Sequence, residues 1–147
     1  MDENGNALDP IGENLLKVQC IAKSNIDQRL STVELKVACD VDNPFYGPNG
    51  AAHIYAPQKG ASKEDVIYLD EGLHHFSKIV KKELDIAMQN IKGAGAAGGV
   101  GGGSVAFLNA SLHSGIELVK KIADFDFTIK EANWILTGEG KLDNQTL

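Results

Sequence analysis

Seven glycines fall within the eleven residues from Gly93 to Gly103, which read Gly93-Ala94-Gly95-Ala96-Ala97-Gly98-Gly99-Val100-Gly101-Gly102-Gly103. Glycine loses more conformational freedom on ordering than any other residue, so this density must supply something that only glycine can. Two explanations qualify. Glycines ahead of a helix let backbone N–H groups approach an anion, at a terminus whose dipole favours negative charge. A small-faced helix packed closely against a sheet needs them just as much. The run continues into Val105-Ala106-Phe107-Leu108, which predicts a helix over 96–108. No lysine follows the glycines, so the stretch is no G-x-x-x-x-G-K-[ST] loop, and it misses the G-x-G-x-x-G pattern after a strand.

Periodicity supplies the frame around that run. Ile11, Leu15, Val18 and Ala22 repeat at helical spacing and predict a helix over 11–23, followed by a polar connector from Asn25 to Thr32. Val33-Glu34-Leu35-Lys36-Val37-Ala38-Cys39 alternates, as a strand with one buried face does, and this favours an antiparallel or mixed sheet. A short helix is expected at 51–55, closed by Pro57. Ser62 with Asp65 three residues on is a variant of the capping box. Val66, Leu69, Leu73, Phe76 and Val80 then step by three and four, predicting a helix over 63–83. Ser114 is placed to cap a helix over 115–124, and Trp134-Ile135-Leu136-Thr137 reads as a short buried strand. These elements predict an α/β fold with a mixed β-sheet flanked by helices, forming one domain over residues 1–147. No repeat or linker divides it.

Composition excludes several classes of function. With 43% hydrophobic residues, the 147-residue chain can bury a core. Its 14 Lys+Arg against 20 Asp+Glu leave a net charge of −6, the wrong sign for a chain that coats nucleic acid. No apolar run approaches the roughly 18–20 residues that span a bilayer, and no signal-peptide pattern follows Met1, so a soluble, cytoplasmic protein is expected. Cys20 and Cys39 stand apart without C-x-x-C spacing, and His53, His74, His75 and His113 form no H-E-x-x-H pattern, which disfavours zinc.

Three loops concentrate special backbone residues beside polar groups. The first runs from Asp40 to Gly50 and extends to Pro57-Gln58-Lys59-Gly60. Carboxylates just beyond a strand sit where α/β folds place ligands, so Asp40 or Asp42 could hold a metal or accept a hydroxyl proton while Asn43 orients a substrate. The same side chains could instead cap nearby backbone N–H groups in a turn. The glycine run is the second loop. The third, Thr137 to Gln145, presents Glu139 between two glycines, with Lys141 suited to phosphate and Asp143 to a general base or Mg²⁺ ligand. An ordinary surface turn would read similarly. On residues alone the ligand is anionic or polar.

Taken together, these segments resemble the bacterial-type glycerate kinase family, the type I glycerate 2-kinases. The resemblance rests on Val37-Ala38-Cys39-Asp40-Val41-Asp42-Asn43-Pro44, Gly47-Pro48-Asn49-Gly50-Ala51-Ala52 and Pro57-Gln58-Lys59-Gly60-Ala61. It continues through Gly93 to Gly99, Gly115-Ile116-Glu117-Leu118 and Thr137 to Thr146, in the same order across nearly the whole chain. The family implies transfer of a phosphoryl group from ATP, with Mg²⁺, to a hydroxyl of D-glycerate in the cleft between two α/β domains. This chain resembles the inserted second domain, with residues 138–147 at the seam with a missing domain, and alone it is expected to be inactive. The implied sites are Asp40, Asp42 and Asp143 for catalysis and Asp42 for the metal. Asn43, Asn49, Lys59, Gly95, Gly98, Gly99, Glu139, Lys141 and Gln145 would face substrate or phosphate. The rival expectation is a ligand-binding or structural piece without turnover, whose bared seam could also pair two copies as a homodimer.

Overall fold

The computed structural model describes residues 1–136 and 138. Its spine is the long helix α2 (Lys63–Leu84), and its start is written in the sequence. The Ser62 N–H donates to Asp65 Oδ2 at 2.9 Å and the Asp65 N–H to Ser62 Oγ at 3.1 Å, closing the capping box. Val66, Leu73 and Val80 lie on the buried face. They pack with Phe45, Ala51, Ala52, Met88 and Ala94 into one core. The helix α1 (Ala51–Tyr55) rests on that face through its two alanines.

The strands β1 (Lys36–Ala38) and β2 (Ser111–His113) pair in parallel, Val37 opposite Leu112. Between them in sequence come α1, α2 and α3 (Ala96–Leu108), so the crossover is helical, as a parallel pair requires. After β2 follow α4 (Gly115–Ile122) and α5 (Phe125–Thr128). The α/β class stands, and the sheet among the described residues is this two-stranded parallel pair. The alternation from Leu35 to Cys39 survives in burial, with 35, 37 and 39 half-buried and 34, 36 and 38 exposed. Among the described residues, no helix is long and apolar enough to cross a membrane.

Two expectations are corrected, at 11–23 and at 134–137. Residues 11–23 form a 3₁₀ turn only at Gly12–Lys17. Beyond it the chain runs extended, because the Val18 carbonyl pairs with His75 Nε2 at 2.6 Å and the Gln19 N–H donates to the Met1 carbonyl at 2.9 Å. These tertiary bonds replace the helical ladder, and Val18 and Ile21 tolerate the exchange because β-branched residues lose little in extended backbone. The polar connector contains a 3₁₀ turn, Gln28–Thr32, capped by Asp27. The buried strand expected at 134–137 does not form: Trp134 is 87% and Leu136 93% exposed, with no sheet neighbour among the described residues. Thr137 lies outside those residues.

Candidate functional site

The chain leaves β1 at Ala38, and the Cys39 N–H extends the ladder to the His113 carbonyl at 2.7 Å. That delivers Asp40 to the end of the sheet, beside the start of α4. Asp40 Oδ1 accepts the Gly115 N–H at 2.7 Å and the Ser114 hydroxyl at 3.3 Å. Ser114 does occupy the N-cap position, but its own side chain makes no capping bond. The cap comes instead from a residue 74 positions earlier, and an anion there also suits the helix dipole.

Asp42 points to solvent and pairs with Lys92 at 3.0 Å, both side chains being exposed. Such a pair is held loosely and opens at little cost. Asn43 is more constrained. Its amide nitrogen donates to the Asn49 carbonyl at 3.2 Å, its side-chain oxygen accepts the Tyr55 hydroxyl at 3.2 Å, and its backbone carbonyl accepts the Gly95 N–H at 2.9 Å. Asn43 thus ties the first loop to α1 and to the glycine run. The side chain of Asn49 itself is exposed.

In the glycine run the close-packing explanation accounts for Gly95. A Cβ at Gly95 would strike the Pro44 carbonyl oxygen, so two backbones meet where no other residue fits. The next turn is unusual: Ala97, Gly98 and Gly99 all have positive φ, at 52°, 77° and 104°. Regular right-handed helix in α3 therefore begins only after Gly99. A Cβ on Gly99 would lie 3.0 Å from Phe45 Cε2, whereas Gly98 opens to free space. Gly98 also lines a pocket of about 190 Å³ together with Lys59, Tyr55, Ala52, Leu69 and Leu73. Among the described residues Lys59 has no ion-pair partner.

The fold therefore gathers Asp40, Asp42, Asn43, Asn49 and Gly95 around one loop, and Lys59 and Gly98 line one pocket with Tyr55, which also bonds to Asn43. Glu139, Lys141, Asp143 and Gln145 lie outside the described residues. Sequence reasoning missed Tyr55, Asp70 and Gln89. Of these, Asp70 carried a legible signal, because it falls on the apolar stripe of α2, four residues after Val66 and three before Leu73. Magnesium fits these residues poorly. No group of three His, Cys, Asp or Glu side chains among them could hold a metal ion, Asp40 is spent on α4, and Asp42 is matched by Lys92. The described residues do not on their own make a Mg²⁺ site.

The chain has relatives among known proteins. The family model described as the glycerate kinase family matches residues 1–147. A glycerate kinase from Halalkalibacterium halodurans is 46% identical over the whole chain, which covers 39% of that relative. The glycerate 2-kinase of Escherichia coli is 42% identical over 99% of the chain and 38% of its own length. A crystal structure of a protein described as glycerate kinase 2 from Salmonella typhimurium superposes with a TM-score of 0.88 at 37% identity, covering 99% of this chain and 39% of that one. The chain thus spans about two fifths of the relatives it matches.

Proposed function

The chain belongs to the glycerate kinase family, and on that premise we propose that it forms one wall of an active site that transfers the γ-phosphoryl group of ATP to a hydroxyl of D-glycerate. The opposite wall comes from the remainder of a full-length kinase across an interdomain cleft, with residues 138–147 at the seam. ATP as donor puts the reaction in the cytoplasm. The observation that carries this reading is the adjacency of two poles. Lys59 and Gly98 share one pocket, and Tyr55, which lines it, donates to Asn43 in the carboxylate-bearing loop.

Phosphoryl transfer asks mainly for positioning and charge neutralisation. Lys59 offers a point charge to anionic oxygens, and Gly98 and Gly99 keep side chains away from them. Gly95, whose N–H already serves Asn43, contributes by fixing the loop. Asn43 and Asn49 orient the hydroxy acid. As the acceptor oxygen bonds to the γ-phosphorus and the bond to ADP breaks, the hydroxyl proton passes to a carboxylate, for which Asp40, Asp42 and Asp143 are the candidates. At the seam, Lys141 and Gln145 face anionic oxygens, and Glu139 accepts a hydrogen bond from a hydroxyl of the substrate. Magnesium enters only as the counter-ion carried by ATP, and no step here depends on it.

A second reading, a binding or packing piece without turnover, is favoured by exposed apolar side chains such as Ile122 at 84% and Trp134 at 87%. Two measurements separate the readings. An amide-resolved NMR titration of this chain with D-glycerate, then with Mg-ATP, should give saturable shifts on residues 40–50 or 93–99. In a full-length kinase carrying this segment, Asp42→Asn should lower turnover at least about tenfold, a loss of roughly 1.4 kcal/mol of transition-state stabilisation. Wild-type enzyme that leaves D-glycerate unphosphorylated would refute the proposal, and unchanged turnover in the variant would remove Asp42 from it.

A further inference from the structure

The loop that bears Asn43 and Asn49 is held from outside by side chains that no motif announces. Asp70, half-buried on α2, accepts the Gly47 N–H at 2.7 Å. Gln89, on the turn after α2, receives the Tyr46 N–H at 3.2 Å and returns a bond to the Tyr46 carbonyl at 3.1 Å. The Tyr46 ring stacks on His74, one helical turn beyond Asp70, with centroids 4.4 Å apart. Three consecutive polar groups of the loop backbone are thus matched by two side chains. Just beyond them the Gly50 N–H closes onto the Gly47 carbonyl at 2.7 Å and α1 begins.

We propose that Asp70 is a positioning residue for substrate binding, fixing the Tyr46–Gly47 backbone so that Asn43 and Asn49 meet the hydroxy acid in a preset geometry, with Gln89 as a second clasp. This rests on the function proposed above. The Asp70 carboxylate has no other hydrogen-bond or ion-pair partner among the described residues. A carboxylate facing a backbone N–H makes a charge-assisted bond, and its loss frees a loop that must then be ordered at the moment of binding.

The test uses Asp70→Ala, Asp70→Asn and Gln89→Met in a full-length kinase carrying this segment, with hydrogen exchange on the same proteins. In Asp70→Ala the Gly47 amide should exchange at least about tenfold faster while Val80 in the core of α2 keeps its protection. The KM for D-glycerate should rise about tenfold, with kcat and the KM for ATP changed less than about twofold, the signature of lost ground-state binding. Asp70→Asn keeps an acceptor and should restore most of both. Gln89 is exposed, so Gln89→Met folds and should move the same KM in the same direction. A loosened Gly47 amide with unchanged KM for D-glycerate, or Asp70→Asn as impaired as Asp70→Ala, would overturn the proposal. Wild-type enzyme inactive on D-glycerate would instead sink the functional reading, with the exchange result still standing.

Discussion

Replacing Gly95 by alanine sets two opposed effects against each other, and the structure decides the sign. Gly95 has φ −78° and ψ −7°, a conformation alanine adopts freely. On backbone grounds alone, Gly95→Ala should stabilise by about 0.4–1 kcal/mol through a less flexible unfolded chain. Its Cβ, however, would run into the Pro44 carbonyl oxygen. That atom belongs to a backbone held between Asn43 and the buried Phe45, so it cannot swing aside as a side chain would. Overpacking of this kind costs about 1–3 kcal/mol. Any shift that relieves it stretches the bond from the Gly95 N–H to the Asn43 carbonyl, worth about 1 kcal/mol more. The net expectation is a loss of about 2 kcal/mol, read as a urea midpoint lowered by about 1 M and a Tm lowered by about 4–8 °C. Two neighbours calibrate it. Gly103 has open space and no positive φ, so Gly103→Ala should stabilise by about 0.5–1 kcal/mol. Gly98 has equal space but φ +77°, so Gly98→Ala should cost about 1–2 kcal/mol from backbone strain alone. An alanine at 95 that stabilises the protein, or three variants with one common effect, would refute the close-approach argument.

Other outcomes follow from the caps. Hydrogen bonds from the Ser62 backbone N–H and then its hydroxyl hold the Asp65 carboxyl below the usual aspartate range. A depressed folded pKa means that this contribution is complete above the unfolded value near 3.8 and is lost as pH falls through the lower folded one. Urea midpoints between pH 5 and pH 2 should therefore fall more steeply in wild type than in Asp65→Asn, and equal slopes would remove the capping box from acid sensitivity. Asp40→Ala should cost about 1 kcal/mol by uncapping α4, seen as faster exchange of the Gly115 and Ile116 amides. Asp40→Asn keeps an acceptor and should spare α4, so any fall in turnover it causes reports on the charge itself.

The parts of the fold legible in sequence are those fixed by local chemistry. The capping box and apolar stripe of α2 needed nothing beyond the helix, and its expected end at 83 falls one residue short of Leu84. The alternation of 35–39 marked which face of β1 is covered, because side chains in extended backbone alternate whatever the partner. It could not reveal that the partner is β2, running parallel and 75 residues downstream. β2 itself is three residues long and carries no pattern to read. The helix expected at 11–23 failed for the same reason in reverse: its apolar spacing was real, and Leu15 does pack against the core. The backbone beyond Lys17 is claimed by His75 and Met1, which are invisible to a local window. In the candidate site, the residues that mark the loops were legible by type, whereas Tyr55 and Gln89, which hold them, act through contacts that only the assembled helices create.

That division bears on how Asp40 and Asp42 should be weighed. They stand two residues apart with the same chemistry, and the sequence treats them alike. In the structure, Asp40 gives one oxygen to two donors at the start of α4, so moving it would release a helix. Among the described residues Asp42 meets only Lys92, in an exposed ion pair that contributes little and opens readily. A catalytic base must be free to take a proton and give it up without dismantling its surroundings. Asp42 meets that condition among the described residues, and Lys92 beside it can swing toward an incoming anion once the pair opens. Asp40 is better suited to hold α4 and the end of β1 in register, so that the loop following it always starts from the same place. Charge-neutral variants at the two positions should therefore diverge. Asp42→Asn should act on turnover at constant stability, whereas Asp40→Asn should leave turnover nearer the wild type so long as α4 stays capped. If Asp40→Asn lowers turnover as much as Asp42→Asn while the Gly115 amide keeps its protection, this division of labour is wrong and Asp40 reaches the substrate directly.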